Sequence, residues 1–230
     1  VISGTAPTIT YTPNADFNGS DSFTFTVTDN QSGVSSAATV SVTVTSVNDL
    51  PVATAQSVST AEDTAKAITL AGTDVDGTIA SYSVGTPSNG VISGTAPTIT
   101  YTPNADFNGS DSFTFTVTDN QSGVSSAATV SVTVTSVNDL PVATAQSVST
   151  AEDTAKAITL AGTDVDGTIA SYSVGTPSNG VISGTAPTIT YTPNADFNGS
   201  DSFTFTVTDN QSGVSSAATV SVTVTSVNDL

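Results

Sequence analysis

The chain has 230 residues and a formal net charge of −18, from 20 acidic residues against 2 lysines, and it contains no histidine or cysteine. This charge excludes nucleic acid as a partner, because phosphate binding needs Lys and Arg, and it disfavours docking on anionic membranes. Without cysteine the fold has no disulfide and no thiolate metal site. No apolar run approaches the roughly 18–20 residues of a membrane-spanning helix, so direct membrane insertion is not expected.

The sequence repeats without a single change, and residue 91 is the counterpart of residue 1. Repetition of this kind is typical of an array in which each module contacts its neighbours. We predict the C-terminal half of a truncated repeat over 1–50 and two identical complete repeats over 51–140 and 141–230. The identical segments are 1–50, 91–140 and 181–230, and also 51–90 and 141–180.

The first strands in chain order fall in the truncated repeat. A short extended segment at 8–12 precedes the clearest strand, residues 22–28, in which apolar and hydroxyl side chains alternate strictly. Such alternation indicates a strand with one buried face. Residues 38–47 alternate in the same way, with valines on one face and Ser or Thr on the other. These segments recur in both complete repeats.

Each complete repeat begins with further strands, at 52–60, 65–71 and 78–84 in the first copy. They are separated by short loops, and the Asn89-Gly90 pair that follows them is typical of a tight turn. About seven short β-branched strands per module, with no helical periodicity, predict an all-β protein. We expect tandem immunoglobulin-like antiparallel β-sandwiches arranged end to end.

The alternation also predicts the core of a module. The inward-facing residues of the complete repeat are Ile99, Tyr101, Phe113, Phe115, Val117, Val130, Val132 and Val134. Residues 1–50 lack the first three strands, so we expect their apolar faces to lie open to water. We expect this segment to keep the conformation of 91–140, as a window cut from a longer continuous array and not as a half completed by another chain. The open faces include Phe23, Phe25, Val40 and Val42.

The up-and-down course of the strands sorts the acidic loops to the two ends of a module. At each junction the far end of one module meets the near end of the next across a short linker, Val137-Asn138-Asp139-Leu140-Pro141, which recurs at 47–51. The far-end residues are Glu62, Asp63, Asp106 and Asp111; the near-end residues are Asp74, Asp76, Asp119 and Asn120, and in the next module Asp164, Asp166 and Asp209.

Like charges a few ångströms apart repel by about 1–4 kcal/mol per pair at a protein surface. With one lysine per complete repeat the chain cannot neutralise these ends itself. Calcium takes 6–8 oxygen ligands from carboxylates, amides and backbone, whereas zinc and copper prefer the absent His and Cys. We therefore predict Ca²⁺ at the junctions. The alternative is that the acidic loops only keep a Thr/Ser-rich surface soluble.

Several motifs carry a family resemblance, in this order: the linker, Ala61-Glu62-Asp63-Thr64, Asp74-Val75-Asp76-Gly77, Tyr101-Thr102-Pro103, Phe107-Asn108-Gly109 and Asp111-Ser112-Phe113-Thr114-Phe115. Together they resemble the cadherin-like, immunoglobulin-like tandem repeats of the extender region of giant bacterial RTX-type surface adhesins. In animal cadherins calcium lies at the junction between domains. By similarity, the ligand roles fall on Glu62, Asp111, Asn138, Asp139, Asp164 and Asp166.

The predicted metal-ligating set also contains Asp63 and the counterparts of these residues elsewhere in the chain. Those counterparts are Asp21, Asn48, Asp49, Asp74, Asp76, Glu152, Asp153, Asp201, Asn228 and Asp229. The resemblance implies a non-enzymatic, extracellular extender on the bacterial cell surface, stiffened by calcium and projecting a terminal binding domain. Its expected partners are the neighbouring repeats, calcium ions and, as a further candidate, other copies of the chain.

Two other functions stay open. The repeats could form a filament or surface layer through lateral contacts, or an array of carbohydrate-binding modules, although no tryptophan is present for stacking on sugars. An enzyme is not expected, since Ser/His and Cys/His nucleophile systems are impossible without His or Cys. For Lys66, a surface ion pair with Glu62 or Asp63 and an isopeptide bond are both open.

Overall fold

The computed structural model describes residues 1–228, and within that range the chain forms β-strands and loops without any helix. No helical segment that could cross a membrane is found there. The chain divides into two compact units, Val1–Thr135 and Ser136–Leu230. The first contains the truncated repeat and most of a complete one, and the second contains the other complete repeat.

Four strands form the truncated repeat of the first unit: β1 (Ile2–Thr5), β2 (Thr8–Tyr11), β3 (Gly19–Phe25) and β4 (Ala38–Val44). They make two antiparallel pairs, β1 with β2 and β3 with β4. The complete repeat of this unit has nine strands: β5 (Val52–Ala53), β6 (Gln56–Ala61), β7 (Lys66–Thr69), β8 (Gly72–Thr73), β9 (Ile79–Val84), β10 (Gly90–Thr95), β11 (Thr98–Pro103), β12 (Gly109–Asp119) and β13 (Ala128–Thr135).

These nine strands form the predicted sandwich. One sheet has the order β6-β13-β12-β9 and the other the order β10-β11-β7, while β5 pairs with β8. The count exceeds seven because β8 (Gly72–Thr73) forms in what was predicted to be a loop after the second strand, and because the first predicted strand is divided into β5 and β6. The first strand changes sheets at this break, which places β6 parallel to β13, whereas every other pair in the repeat is antiparallel.

The predicted core is confirmed. All eight residues expected to face inward are buried, and Ile68, Leu70 and Ala128 join them in one cluster between the two sheets. Alternation along β12 and β13 explains this result, because every second side chain is buried while the hydroxyl residues between them stay exposed or half-buried.

The truncated repeat keeps the strand pairing of its complete counterpart, as expected. Ile2 lies opposite Tyr11 just as Ile92 lies opposite Tyr101. Its apolar face is open, however: Phe25 is 48% exposed, whereas the identical Phe115 is 1% exposed. Strand β3 also ends at Phe25, because the stretch that extends β12 to Asp119 pairs with β9, and residues 1–50 include no counterpart of β9.

The second unit repeats the complete sandwich. Its strands are β14 (Val142–Ala143), β15 (Gln146–Ala151), β16 (Lys156–Thr159), β17 (Gly162–Thr163), β18 (Ile169–Val174), β19 (Gly180–Thr185), β20 (Thr188–Pro193), β21 (Gly199–Asp209) and β22 (Ala218–Thr225). The sheets have the orders β15-β22-β21-β18 and β16-β20-β19, with β14 paired to β17. The core consists of the counterparts of the first-unit core residues.

Candidate metal centre at the module ends

The near end of the module in the first unit is organised around Asp119, the last residue of β12, which is 2% exposed. One carboxylate oxygen accepts hydrogen bonds from the backbone amides of Gln121 at 2.7 Å and Gly123 at 2.8 Å. The other accepts one from the side-chain amide of Asn48 at 3.0 Å. The Asn48 hydrogen bond is the main reason that the pKa of Asp119 lies below its usual value. Asp119 thus holds its own turn and the linker.

The linker approaches this turn so closely that only glycine fits at position 123. A Cβ atom there would lie 2.4 Å from the Asp119 Oδ2, 2.6 Å from the Asn48 Nδ2 and 3.0 Å from a methyl carbon of Leu50. The absence of a side chain at Gly123 is therefore what allows the linker to lie against the loop.

Beside Asp119, several oxygen atoms converge without a hydrogen-bond donor. Both carboxylate oxygens of Asp74 and the side-chain oxygen of Asn48 are buried, and none has a hydrogen-bond partner within residues 1–228. A Cβ atom on Gly77 would lie 2.6 Å from the Asp74 Oδ2 and 2.3 Å from the Asn120 Oδ1, so both oxygens border the same space, although the Asn120 oxygen already accepts a hydrogen bond from the Thr78 amide at 3.0 Å. Buried oxygens are normally satisfied, so this space fits a cation.

A second group of carboxylates lies next to these oxygens. Asp16 of the truncated repeat, Asp49 of the linker and Asp76 of the complete repeat all line one cleft of about 270 Å³. The Asp49 backbone amide lies 3.4 Å from each carboxylate oxygen of Asp76. The first unit therefore brings together acids from three predicted positions: a far-end loop, a linker and a near-end loop.

The near end of the second unit has the same arrangement. Asn138 donates to Asp209 at 2.9 Å, and the side-chain oxygen of Asn138 has no partner among the described residues. The same is true of both oxygens of Asp164 and of one oxygen of Asp166. Burial, and then the negative charges of Asp166 and Asp209, raise the pKa of Asp164. Repulsion between carboxylates is thus concentrated at this end.

The far end of each module contains a second acidic group. In the first unit the buried Glu62 lies 3.4 Å from the Asn108 side-chain amide, and the Asp106 backbone amide donates to Asp63 at 3.2 Å. Carboxylate oxygens of Asp63 and Asp106 lie within 4.8 Å of each other. Both residues have left-handed backbones, with φ of 54° and 56°, a conformation that Asp tolerates better than most residues.

The second unit repeats these far-end contacts. Glu152 is buried and accepts hydrogen bonds from the Asn198 side chain at 3.3 Å and from the Val227 backbone amide. The Asp196 amide donates to Asp153 at 3.3 Å. Asn228 is exposed, and Asp229 lies outside the described residues. Asp139 is half-buried in the linker that begins this unit.

The carboxylate of Asp111, one of the predicted ligands, is engaged in hydrogen bonds within its own module. Its carboxylate accepts hydrogen bonds from the Tyr101 hydroxyl at 2.9 Å and from the amides of Asn89, Ser88 and Ser112 at 2.9, 3.1 and 2.8 Å. Burial alone would raise the pKa of Asp111, but these four donors together lower it. Both oxygens of Asp111 accept hydrogen bonds, and they connect the loop that precedes β10 with strand β12. Asp111 is therefore left out of the proposed metal set.

Asp201 repeats all four hydrogen bonds of Asp111, whereas Asp21 is exposed and keeps two of them. Asp201 accepts hydrogen bonds from Tyr191, Ser178, Asn179 and Ser202, and Asp21 accepts them from Tyr11 and Ser22. Conversely, the predicted ligand set omitted Asp119 and Asp209, and also Asp16, Asp106 and Asp196. The predicted order of the strands already placed Asp119, Asp106 and Asp209 at the module ends. That placement is the sequence feature by which they could have been included in the predicted ligand set.

The comparison with protein-family models matches the model described as bacterial Ig domain to residues 1–43, 48–133 and 138–223. The comparison with curated proteins gave no match. Among solved structures, human protocadherin-24 EC1-2 is similar with a TM-score of 0.54 and 15% identity, over 78% of this chain and all of that one. This likeness supports the fold.

Two further structures match less well. An endo-fucoidan hydrolase from glycoside hydrolase family 107 is 20% identical over 99% of this chain, with a TM-score of 0.33, and Drosophila N-cadherin EC1-3 is 11% identical over 94% of this chain and 92% of its own, with a TM-score of 0.33. This chain spans only 37% of the hydrolase chain. At these scores neither likeness bears on function.

Proposed function

Because the chain belongs to the bacterial Ig domain family, with three matched segments in tandem, we propose that it is an extracellular structural extender whose module ends bind Ca²⁺. The observation that carries this proposal is the set of buried, unpartnered oxygens at the near ends, Asp74 and Asn48 in the first unit and Asp164 and Asn138 in the second. Oxygen-only ligands without His or Cys suit calcium better than zinc or copper.

In the proposed site of the first unit, Asp74 and the Asn48 side-chain oxygen would hold the ion, and Asp119 would position Asn48 through the hydrogen bond described above. Asp16, Asp49 and Asp76 supply further negative charge in the adjoining cleft. A bound cation would offset the repulsion that, after burial, raises the pKa of Asp164 in the second unit. It would also fix the linker, since Asn48 is both a linker residue and a ligand.

The biological role that we propose is display. Modules that repeat without change and are stiffened at their ends separate a terminal binding domain from a cell surface, as in a bacterial adhesin. The filament alternative needs lateral contacts between copies, which the net charge of −18 opposes at low salt. The proposed role is structural and requires no catalysis.

The test compares CaCl₂ with NaCl at equal ionic strength. Screening alone predicts equal melting temperatures in the two salts, whereas a site that binds only the folded protein predicts a higher one in calcium. At a free calcium concentration of 100 times Kd, one site contributes about 2.7 kcal/mol. Titration calorimetry with CaCl₂ measures the binding directly.

We also expect X-ray scattering to give a shorter maximum dimension after chelation.

The variant for this test is Asp164→Asn with Asp166→Asn, and the matched control is Asp153→Asn with Asp196→Asn at the far end of the same unit. We expect the near-end pair to abolish at least one calcium site with no loss of folding at neutral pH, because it removes repulsion. Equal melting temperatures in both salts, together with no heat of binding, would contradict the calcium proposal and favour acidic loops that act only as solubilising charge.

A further inference from the structure

Each repeat contains two Asn-x-Ser sequences, and both fit the acceptor motif for N-linked glycans. In the first complete repeat they are Asn108-Gly109-Ser110, where β12 begins, and Asn120-Gln121-Ser122, in the turn after β12. They differ two positions before the asparagine, where the first has Asp106 and the second has Thr118. An acid at that position can form an ion pair with a basic group of an enzyme that binds the sequence as its acceptor.

The first of these sequences lies on the surface. Asp106, Asn108 and Ser110 are all exposed. The side-chain amide nitrogen of Asn108 is 3.4 Å from a Glu62 carboxylate oxygen, a distance at the long limit of a hydrogen bond. Apart from its chain neighbours, a Cβ atom on Gly109 would meet no atom closer than the Phe107 ring at 3.7 Å. The Asn108 amide therefore has open space beside it and little to hold it back.

The backbone before Asn108 is fixed in a way that keeps this sequence outside. Phe107 is half-buried and packs against the core, and its amide donates to the Asn104 carbonyl at 3.2 Å. Because Phe107 faces inward, its neighbours Asp106 and Asn108 lie on the outer side of the turn. The folded loop thus presents the acid and the asparagine together.

The second sequence is bound to its own module. The Asn120 side-chain oxygen accepts a hydrogen bond from the Thr78 amide at 3.0 Å, and the Asn120 backbone amide donates to the Thr78 carbonyl at 3.0 Å. The Ser122 amide donates to the Asp119 carbonyl at 3.3 Å. Asn120 is exposed as well, so exposure alone does not separate the two sequences. The acid and the freedom of the side chain do.

The second unit repeats the first sequence and its surroundings. Asn198 is exposed and follows Asp196 by two positions, and its side-chain amide nitrogen lies 3.3 Å from the Glu152 carboxylate. The same residues also occur around Asn18, which is exposed. The chain therefore carries three copies of one acceptor sequence.

We propose that Asn108 and its counterparts Asn18 and Asn198 are N-glycosylation sites for an oligosaccharyltransferase that selects an acid two positions before the asparagine. The donor is an oligosaccharide on a polyprenyl diphosphate. The asparagine side-chain nitrogen forms a bond to the anomeric carbon, and the bond from that carbon to the diphosphate oxygen breaks. The lipid diphosphate leaves with the electron pair, and one amide proton passes to a base of the transferase. This modification does not depend on calcium.

The test uses the folded full chain, a purified bacterial oligosaccharyltransferase of this kind and its lipid-linked donor. Mass spectrometry of the intact chain counts the glycans, and we expect up to three. Replacing the three proposed asparagines by Gln should remove every glycan. The matched control replaces Asn30, Asn120 and Asn210 by Gln in the second sequence, and it should be glycosylated like the unmodified chain. A synthetic peptide with the sequence of residues 104–112 shows that enzyme and donor are active.

A second variant tests the acid without touching the asparagine. Asp106→Asn, combined with the same change at Asp16 and Asp196, removes the charge and keeps the left-handed backbone, which Asn adopts as readily as Asp. We expect the rate of transfer to fall by at least about tenfold, because a charge-assisted contact with the enzyme is lost. Circular dichroism of the variant should match that of the unmodified chain.

Four results would overturn the proposal. The first is a folded chain that gains no glycan under conditions in which the peptide is modified, and the second is transfer that occurs only after the chain is unfolded by heat. The third is transfer to the second sequence that equals transfer to the first. The fourth is an unchanged rate in the Asp106→Asn variant, which would show that the acid is not selected.

Discussion

At the level of single residues, Asp111 and Tyr101 show how a polar pair can lie inside an apolar sandwich. Tyr101 is fully buried and its hydroxyl donates to Asp111. Burial raises the pKa of Tyr101, and this hydrogen bond raises it further. Since the carboxylate also accepts three backbone amides, neither group is left unsatisfied. The pair ties β11, β12 and the loop before β10 together.

Phe115 and Phe25 allow a direct comparison of how much burial of one side chain contributes to the free energy of unfolding. They occupy the same position of identical segments, but only Phe115 is buried. We expect Phe115→Ala to destabilise the first unit by about 3–5 kcal/mol. Phe25→Ala should cost about 1 kcal/mol or less, since a half-exposed side chain loses less burial. Denaturant titration of the full chain measures both. Equal midpoints for the two variants would contradict the burial of Phe115 in the core.

The Asp119 carboxylate predicts a pH dependence of the linker. The pKa of Asp119 is lower in the folded protein, chiefly because of the hydrogen bond from Asn48. The ionised carboxylate therefore stabilises the linker contact fully at any pH above the ordinary pKa of a free carboxyl. This stabilisation is lost as the pH falls through the lowered pKa. A spin label at Val47→Cys should therefore become more mobile below about pH 4.

The control for this prediction is the identical turn around Asp29, which accepts the Gln31 and Gly33 amides. Asp119→Ala should mobilise the label already at neutral pH and remove most of its response to acid, whereas Asp29→Ala should leave both unchanged. If the two variants behave alike, the Asp119–Asn48 hydrogen bond does not hold the linker.

At the level of elements, the contact between the linker and the turn after β12 depends on the missing side chain of Gly123. We expect Gly123→Ala to push Asn48 and Leu50 away from the turn, because their side chains and the Asp119 carboxylate leave no room for a Cβ atom. The nanosecond anisotropy decay of a dye at Val47→Cys should then show a larger amplitude of local motion.

Gly33→Ala is the matched control. The three atoms nearest to a Cβ atom there all belong to the Asp29 carboxylate, the closest at 2.8 Å, so the variant reproduces the strain within the turn without a close linker contact. Linker motion that is the same in both variants would mean that the turn itself, and not the close approach of the linker, sets the mobility at Val47.

Across the molecule, the positions of the acidic residues determine where repulsion occurs, which the net charge of −18 alone does not. The strands of the two sheets carry mainly apolar and hydroxyl residues, and most acids lie in the loops at the module ends. Such a distribution limits repulsion to the ends and leaves the sandwich core unaffected. A cation bound at the ends would therefore act on the connections between modules, whereas the fold of each module rests on burial of the core.

The repeat, the strands and the buried residues could all be predicted from the amino-acid sequence. Strict alternation in segments such as 112–118 assigns each side chain to a face, because successive residues of a strand point to opposite sides. The acidic ends also followed from strand order, since antiparallel neighbours bring alternate loops to the same end. The exposed face of residues 1–50 could be predicted for the same reason, from the strands that this segment does not contain.

Which acids keep free oxygens depends instead on the tertiary structure. Asp111 and Asp74 look alike in sequence, but Asp111 meets a hydroxyl ten residues before it and amides more than twenty residues before it, whereas Asp74 meets no donor among the described residues. The Asn48–Asp119 contact joins residues 71 positions apart. The first strand changes sheets by the same kind of long-range pairing. Local patterns cannot encode such contacts, because they depend on how distant strands pack.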